Sequence, residues 1–470
     1  MKRAFFVVLF SCIVMWPGPG RGEEVPVPPV ADLSAIRVLD LATAQRLALA
    51  GNPSMDAALA RVEQARARVS EAAAAWWPNL DLAGSGGRNR QSDSAWRMSE
   101  ALARLYGQRI DQTTEQYGAG LQASWLLFDG FYRKFNEERA GYGEKSAAAG
   151  REDAQRLLVA AVAEAFLNAQ LAQTNAGIAG ADRDFYSQQL QDAQNRYDAG
   201  AGPWGDVLNI KVQLNVAKTN ALLAGREFEA AGYGLAALLG VEGARLPSQL
   251  SLKPLEQEAD VTVQATPPEQ LIAQALAQRP DIRQLTLGVK QAEAGIGMAD
   301  AQFYPKLQLA GVVNSERQGG FRLSGDDVGD TVALNLSWNL FAGGIDQARR
   351  FAAEQARREA DASLRNLRNQ VAAEVRQALA SLEAAREQVL LQRESVKLVA
   401  ENRDLARSEY EAGQSPLTRL NEAQRDLTAT HGRQAQALVA WQRARERLLI
   451  ATGGNGPWTE DPGQKTAGGR

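Results

Sequence analysis

The chain consists of two similar halves, and this internal duplication constrains its fold more than any other feature. In the first half Pro53 is followed 25 positions later by Pro78, and in the second half Pro280 is followed 25 positions later by Pro305. Both prolines of the second half stand 227 positions after their counterparts. An ordered series of such matches does not arise by chance in an alanine-rich chain, so we expect two structural repeats.

Further along, the two halves match at a second offset. Leu121–Phe128 (LQASWLLF) matches Leu334–Phe341 (LNLSWNLF) at a distance of 213 positions. The same offset relates four later pairs, namely Tyr197 and Tyr410, Gly200 and Gly413, Pro203 and Pro416, and Gly240 and Gly453. The two offsets differ by 14 residues, and this difference falls between two strands, where loop length varies freely.

Each repeat begins with two helices divided by a proline. The residue before a proline avoids the α-helical region, whereas proline itself suits the first turn of a helix. A helix therefore ends before Pro53 or Pro280, and another starts there. We expect these helices at 39–51, 54–76, 268–279 and 281–303.

The hydrophobic period then changes from helical to alternating. Strands are expected at about 79–90, 117–128, 306–315 and 331–341. In the last of them apolar Val332, Leu334 and Leu336 alternate with Ala333, Asn335 and Ser337. Strands of about ten residues with an apolar face and a small or polar face are typical of a membrane β-barrel. A water-soluble β-sandwich with one buried face is the alternative.

Four strands from one chain are too few to close a barrel, since eight is about the practical minimum. Three copies would supply twelve, an even number that fits the bacterial pattern. The predicted fold is therefore mainly α with a shared β-barrel, in which each chain contributes a duplicated repeat of helices, a strand pair and a long helical hairpin.

A very long helical stretch follows each strand pair, at 130–199 and 343–412. Roughly 70 residues at a rise of 1.5 Å span about 100 Å. From Leu364 to Val399 apolar residues recur at spacings of three and four, a period near 3.5 that indicates a left-handed coiled coil. The hairpin tips are expected at 199–204 and 412–417, and the return helices at 204–239 and 417–452.

The N-terminus is typical of a cleaved signal peptide, residues 1–22. Lys2 and Arg3 precede an apolar run from Ala4 to Trp16, which is too short to span a bilayer as a helix. No second apolar stretch of spanning length is expected. The only cysteine, Cys12, lies inside this segment, where an ordinary signal residue is favoured over a lipid-attachment site. The remaining units are a first repeat at 23–240, a linker at 241–266, a second repeat at 267–453 and a flexible tail at 454–470.

The charge and the reactive residues exclude several functions. The formal net charge is −3, and removal of the signal peptide makes it more negative, which argues against a nucleic-acid partner. The single histidine, His431, has no cysteine near it in the sequence, so a transition-metal site is not expected. We predict no catalytic residues, no cofactor and no metal, and hence no enzyme.

In their order and duplication these features resemble the TolC family of outer-membrane efflux proteins. The resemblance rests on the divided helices at Pro53 and Pro280, the strand entries at Pro78 and Pro305, and the paired LxxSWxLF strands and Tyr-x-x-Gly tips. It runs from about residue 38 to 453. It implies a homotrimer with a twelve-stranded barrel in outer-membrane lipid and a twelve-helix α-barrel across the periplasm. It also implies a periplasmic adaptor (a membrane fusion protein) and an inner-membrane pump as partners.

The same resemblance points to a periplasmic gate at the hairpin tips. Asp206 and Tyr410 occupy positions that the family uses in contacts between hairpins, and Arg419 and Glu422 occupy two acidic-ring positions. Of the usual partners, threonine is replaced by Gly205 and arginine by Ser415. Our hypothesis is that Arg419 pairs with Asp206 or Glu422; the alternative is a solvated surface charge. The turn residues Gly200, Pro203, Gly413 and Pro416 are also candidate adaptor contacts.

The predicted function is an exit channel of a tripartite efflux or type I secretion system, passive and gated at its periplasmic end. A soluble periplasmic coiled-coil adaptor or scaffold is the alternative from another class. The alternating strands distinguish the two, because an adaptor has no need of a lipid-facing apolar band.

Overall fold

The chain is mainly helical, as expected. The structure is a computed structural model that describes residues 36–262, 266–319 and 327–454. The predicted signal peptide with Cys12, and the tail beyond residue 454, lie outside the described residues. The helices are α1 (Leu41–Gly51), α2 (Pro53–Ala74), α3 (Asp93–Leu105), α4 (Tyr132–Asp198), α5 (Trp204–Leu238), α6 (Pro268–Gln278), α7 (Pro280–Asp300), α8 (Ile345–Glu411) and α9 (Leu417–Ala451).

Two sheets accompany the helices. The strands are β1 (Val38–Leu39), β2 (Asn79–Arg90), β3 (Thr113–Phe128), β4 (Ser251–Leu252), β5 (Lys306–Gln318) and β6 (Val328–Ser337). The short strands β1 and β4 pair in parallel, whereas the other four form an antiparallel sheet in the order β2-β3-β5-β6. Both outer strands of this sheet, β2 and β6, therefore have one edge without a partner strand in the described chain.

The observed strands differ from the expected ones at their ends. β3 starts at Thr113 rather than 117, because Thr113 to Gln116 continue the ladder opposite β2. β6 ends at Ser337 rather than 341. The next residue, Trp338, leaves the ladder and donates from its indole Nε1 to the carbonyl oxygen of Phe303 at 3.1 Å.

A further difference lies between β2 and β3, where the sequence analysis named no element. The amphipathic helix α3 occupies it. Its start is capped by Ser92, whose Oγ accepts from the Ala95 amide at 3.4 Å, and Asp93 lies in its first turn. Both features favour a helix N-terminus.

The long helices lie side by side in one layer. Near the sheet the order is α2, α4, α7, α8, and near the hairpin tips it is α5, α4, α9, α8. The corresponding helices of the two halves have equal lengths: α4 and α8 each have 67 residues, and α5 and α9 each have 35. Only the middle of the layer is covered on both sides by helices of the same chain.

One part of α4 is apolar enough to cross a membrane by length and composition, which the sequence analysis did not anticipate. Its 18-residue window has a mean hydropathy of 1.2, and 44% of the window is buried. Leu158, Val162 and Phe166 of α4 belong to the largest core cluster. The apolar character of this stretch therefore reflects packing against the neighbouring helices.

The two helix junctions of the layer are held by one side chain each. α2 stacks end to end on α5, where Asn52 donates from Nδ2 to the carbonyl oxygen of Leu238 at 2.7 Å. In the second half Arg279 donates from a guanidinium nitrogen to the carbonyl oxygen of Ala451 at 3.3 Å. Each donor therefore satisfies a carbonyl that the helix end leaves without an intrahelical partner.

Candidate functional site

The tips of the two long hairpins are built alike. α4 ends before Gly200 and α8 before Gly413, and both glycines have a positive φ, of 72° and 73°. At each tip two backbone amides bond back to the last helical turn: Gly200 to Tyr197, and Ala201 to Arg196, with the equivalent pair from Gly413 and Gln414 in the second hairpin. Glycine suits this left-handed position because it has no Cβ. Pro203 and Pro416 then begin the return helices.

A hydrogen bond joins the two tips within the chain. The Tyr410 hydroxyl at the end of α8 donates to Oδ2 of Asp206, in the first turn of α5, at 3.0 Å. The Arg196 guanidinium lies over the Tyr410 ring, 5.2 Å from its centroid. Burial and the bond to Asp206 raise the pKa of Tyr410 to about 12, so the hydroxyl remains a donor at physiological pH. The structure thus brings together Asp206 and Tyr410, two of the residues that the sequence analysis named, and adds Arg196.

Arg419 is paired differently from our hypothesis, which named Asp206 or Glu422. A guanidinium nitrogen of Arg419 lies 3.4 Å from Oε2 of Glu409. Glu409 lies near the end of α8 and Arg419 near the start of α9, so the two residues flank the second tip. Asp206 already accepts the hydrogen bond from Tyr410. Glu422 is exposed and has no ion pair within the described part of the chain. Arg419 is half exposed, so this pair contributes little to stability, about 0–1 kcal/mol.

Sequence reasoning missed Arg196 and Glu409, although the duplication contained the signal. The offset of 213 positions relates Arg196 to Glu409 and Asp206 to Arg419. Each tip therefore carries one basic and one acidic residue at these two positions. The basic residue comes first in the first tip, and the acidic residue comes first in the second tip. Gly205, which replaces the usual threonine, faces open space. The buried hydroxyl of Ser415, which replaces the usual arginine, has no hydrogen-bond partner among the described residues.

At the other end of the helices, the four-stranded sheet has one apolar face. Leu121 of β3 stands opposite Leu82 of β2 and Val313 of β5, and Leu334 of β6 stands opposite Leu309. The other face carries polar pairs, such as Asp81 with Gln122 and Gln308 with Asn335. Leu82 is 82% exposed and Leu334 62% exposed. A continuous exposed apolar face of this kind marks contact with lipid or another protein surface.

Aromatic residues lie where the sheet meets the helices. Trp125 donates from Nε1 to the Trp76 carbonyl oxygen at 2.9 Å, and the equivalent Trp338 donates to that of Phe303 at 3.1 Å. Trp77 and Tyr304 are exposed at the same level. Aromatic rings with a polar atom are favoured at the boundary between lipid and water.

The described residues offer no evident site for metal chemistry. Across 36–262, 266–319 and 327–454, no group of three or more His, Cys, Asp or Glu residues is placed to hold a metal ion. Burial and the nearby Arg403 lower the pKa of His431, so its imidazole is neutral at physiological pH.

Long helical hairpins with bonded tips, joined to a sheet with an exposed apolar face, define a channel-forming subunit of the outer membrane. The chain belongs to the outer membrane efflux protein family, whose sequence profile matches residues 45–241 and 271–454. This family consists of transport proteins, and its members reside in the outer membrane. The assignment confirms the predicted efflux or secretion channel and disfavours the soluble adaptor.

Known relatives agree with this assignment over most of their length. Nodulation protein T of Rhizobium leguminosarum bv. trifolii is 25% identical, over 86% of this chain and 83% of the relative. The alkaline protease secretion protein AprF of Pseudomonas aeruginosa is 27% identical, over 88% and 84%. The cation efflux system protein CusC of Escherichia coli K12 is 27% identical, over 87% and 85%.

Solved structures show the same fold. A crystal structure of CusC superimposes with a TM-score of 0.75 at 22% identity, covering 89% of this chain and 94% of that chain. The CmeC outer membrane channel of Campylobacter jejuni gives a TM-score of 0.74 at 18% identity, covering 90% and 87%. At these identities the likeness establishes the fold alone.

Proposed function

We propose that three copies of this chain assemble into a passive exit duct that crosses the outer membrane and the periplasm. In this assembly the sheets form a twelve-stranded barrel in lipid, and the helices form a twelve-helix periplasmic tube. A periplasmic adaptor and an inner-membrane pump deliver the cargo to a gated end at the hairpin tips, and the pump supplies the energy.

The observation that carries the proposal is the unfinished four-stranded sheet. Among the described residues β2 and β6 each have one edge without a partner strand, and unpaired backbone groups are too costly to leave exposed in lipid. The apolar face of the same sheet is exposed at Leu82, Leu334 and Leu336. Pairing β2 of one copy with β6 of the next removes every edge and directs the apolar face outward.

The helical layer is also unfinished at its two outer helices. α8 exposes Leu391, Leu398 and Leu405, which recur every seven residues, and α5 exposes Leu208, Val212 and Val216. A heptad spacing presents its apolar residues on one side of a coiled-coil helix. Contact between α8 of one copy and α5 of the next would bury both stripes and close the tube.

Assembly is tested with the full chain purified in detergent. Light scattering coupled to size exclusion is expected to give a trimer, and planar bilayers containing it are expected to carry stable single-channel currents. Leu391→Glu with Leu398→Glu should abolish the trimer, whereas Lys397→Glu, on the same helix outside the stripe, should preserve it. A water-soluble monomer that needs no detergent would contradict the proposal.

The gate is tested by removing one hydroxyl group. Tyr410→Phe deletes the donor to Asp206, so we expect a higher open probability in bilayers. Tyr197→Phe is the matched control, because this equivalent tyrosine contacts the Trp204 ring and its hydroxyl has no hydrogen-bond partner among the described residues. Equal currents from both variants would exclude a gating role for the bond between Tyr410 and Asp206.

The contribution of Arg419 and Glu422 to the constriction needs a separate measurement. If these residues line the narrowest part, Arg419→Ala and Glu422→Ala should shift the ion selectivity of the trimer in opposite directions, because they remove charges of opposite sign. Unchanged current and selectivity in both variants would show that neither side chain faces the pore.

A further inference from the structure

A groove of about 880 Å³ lies where α2, α4 and α7 run side by side, close to the sheet. Small residues of α4 form its floor, among them Ala140, Gly143, Ala147 and Gly150. Because none of these side chains extends far from the backbone, the groove stays open along several turns of the helix.

Four arginines line this groove: Arg61 and Arg68 of α2, and Arg139 and Arg151 of α4. Among the lining residues, all of which lie in the described chain, Glu71 is the single acidic one. None of the four guanidinium groups has an ion pair or hydrogen bond with another described residue. The groove is therefore strongly basic although the chain as a whole is acidic, with a net charge of −3.

The arginines lie on both sides of the groove, two on α2 and two on α4. Arg66 of α2 contacts Glu144 of α4 and Trp76 contacts Glu137, so the two helices run antiparallel in a known register. This register sets Arg61 at the level of Arg151, whereas Arg139 lies about three to six residues nearer the sheet than the residues of α4 that stand level with Arg68. Arg61 and Arg68 are about 10 Å apart along α2, since seven residues separate them at 1.5 Å each, and Arg139 and Arg151 are about 18 Å apart along α4, since twelve residues separate them.

The duplication indicates that the two α2 arginines face open space rather than a neighbouring subunit. The offset of 227 positions relates Arg61 to Gly288 and Arg68 to Gly295, both in α7. α7 lies between α4 and α8 of its own chain, so its neighbours are already in place. A Cβ added at Gly288 or Gly295 would meet nothing within 4 Å.

The lining of the groove favours a place on the inner side of the proposed tube. Residues of three adjacent helices line it together, with Gln284 and Gln291 as the contribution of α7. Side chains of three adjacent helices converge most closely on the concave side of a curved layer. In a closed tube of such helices the concave side is the lumen.

We propose that this basic groove, repeated three times around the lumen, binds oxyanions and makes the upper periplasmic section of the duct selective for cargo with carboxylate or phosphate groups. Guanidinium groups bind both through paired N–H donors, and the neighbouring glutamine and asparagine amides add further donors. The inference rests on the proposed duct and names the chemical class of cargo that it favours.

The first test measures ion selectivity in planar bilayers that contain the trimer and separate unequal KCl concentrations. Arg68→Gln with Arg139→Gln should shift the reversal potential toward cation preference, whereas Arg68→Lys with Arg139→Lys should leave it unchanged, because lysine keeps the charge. Arg66→Gln is the matched control: it removes the same charge from the same helix, but on the side that faces Glu63 and Glu144.

The second test measures binding of tripolyphosphate to the detergent-purified trimer by calorimetry. Replacement of all four groove arginines by glutamine should weaken the affinity by at least about tenfold, and Arg66→Gln should change it little. Wild-type trimers that conduct with the same selectivity and tripolyphosphate affinity as the groove variants would overturn the inference while leaving the duct intact. Absence of any conductance in the wild type would instead count against the duct itself.

Discussion

The two halves of this protein share one backbone plan but differ in charge at equivalent places. At the junction of stacked helices the first half has Asn52, a neutral amide, and the second half has Arg279. Leu238 and Ala451, whose carbonyl oxygens accept these bonds, are themselves equivalent at an offset of 213 positions. One structural task, satisfying a helix C-terminus, is thus carried out with different chemistry.

The charged junction involves more of the chain. Arg279, only 3% exposed, also pairs with Asp281 at 2.7 Å and with Glu374 of α8 at 2.5 Å. Arg156 of α4 approaches Asp281 at 3.6 Å. The second junction therefore links α7, α8, α9 and α4. Among the described residues the Asn52 side chain, in contrast, forms hydrogen bonds only with the Leu238 carbonyl and the Ser54 amide. The difference shows that two repeats with the same backbone structure can be stabilised by different side-chain interactions.

The largest effect is expected from Arg279→Ala. Removing one partner of a buried ion pair leaves the others uncompensated, which typically costs about 3–5 kcal/mol. Because Glu374 is half exposed, we expect the lower end, about 3 kcal/mol. Native-state hydrogen exchange at the start of α7 measures this opening free energy. Protection equal to that of the wild type would mean that the ion pairs do not support the junction.

A smaller cost, of about 2–3 kcal/mol, is expected from Gly240→Ala. Gly240 follows α5 with φ +74°, and an added Cβ would lie 2.1 Å from the carbonyl oxygen of Gly51. The left-handed conformation and the close contact both disfavour a side chain there. The equivalent Gly453 has φ +67° but its nearest neighbours are at 3.2 Å, so Gly453→Ala should destabilise less. Equal shifts in the thermal midpoint would contradict this order.

Asn52→Ala should cost about 1 kcal/mol, because it removes one neutral hydrogen bond and a helix cap. Hydrogen exchange at the start of α2 is the measurement, compared directly with the effect of Arg279→Ala at α7. An equal or greater loss of protection at α2 would refute the proposed difference between the two junctions.

The smallest effect is a loss of stability at low pH, which we expect at the second junction and not at the first. Burial by itself raises the pKa of Asp281, but its bonds to Arg279 and the charge of Arg156 outweigh burial and hold the pKa below the ordinary value of 3.8. A carboxyl group with a depressed folded-state pKa adds stability above its unfolded pKa, and that stability is lost as pH falls through the folded pKa. Thermal midpoints should therefore fall below about pH 4, and Asp281→Asn should flatten this fall more than Asn52→Ala does.

Much of the molecule was predictable because local rules decide it. The prolines at 53 and 280 divide helices, the glycines at 200 and 413 end them, and the alternating residues form strands, each through backbone geometry that neighbours in sequence control. The family resemblance also named Asp206 and Tyr410, but not the hydrogen bond between them. These features confirm that the two halves carry similar local information.

What only the tertiary structure decided concerns contacts between distant segments. Arg419 pairs with Glu409 rather than with Asp206 or Glu422, because the turn at the second tip brings Arg419 and Glu409 together. The role of Arg279 depends on Glu374, 95 positions away. The basic groove exists because antiparallel packing places two arginines of α2 and two of α4 along one cavity. The sequence by itself determined where helices, strands and turns occur, whereas which charges meet depended on how those elements pack, because electrostatic pairing follows distance in space and not along the chain.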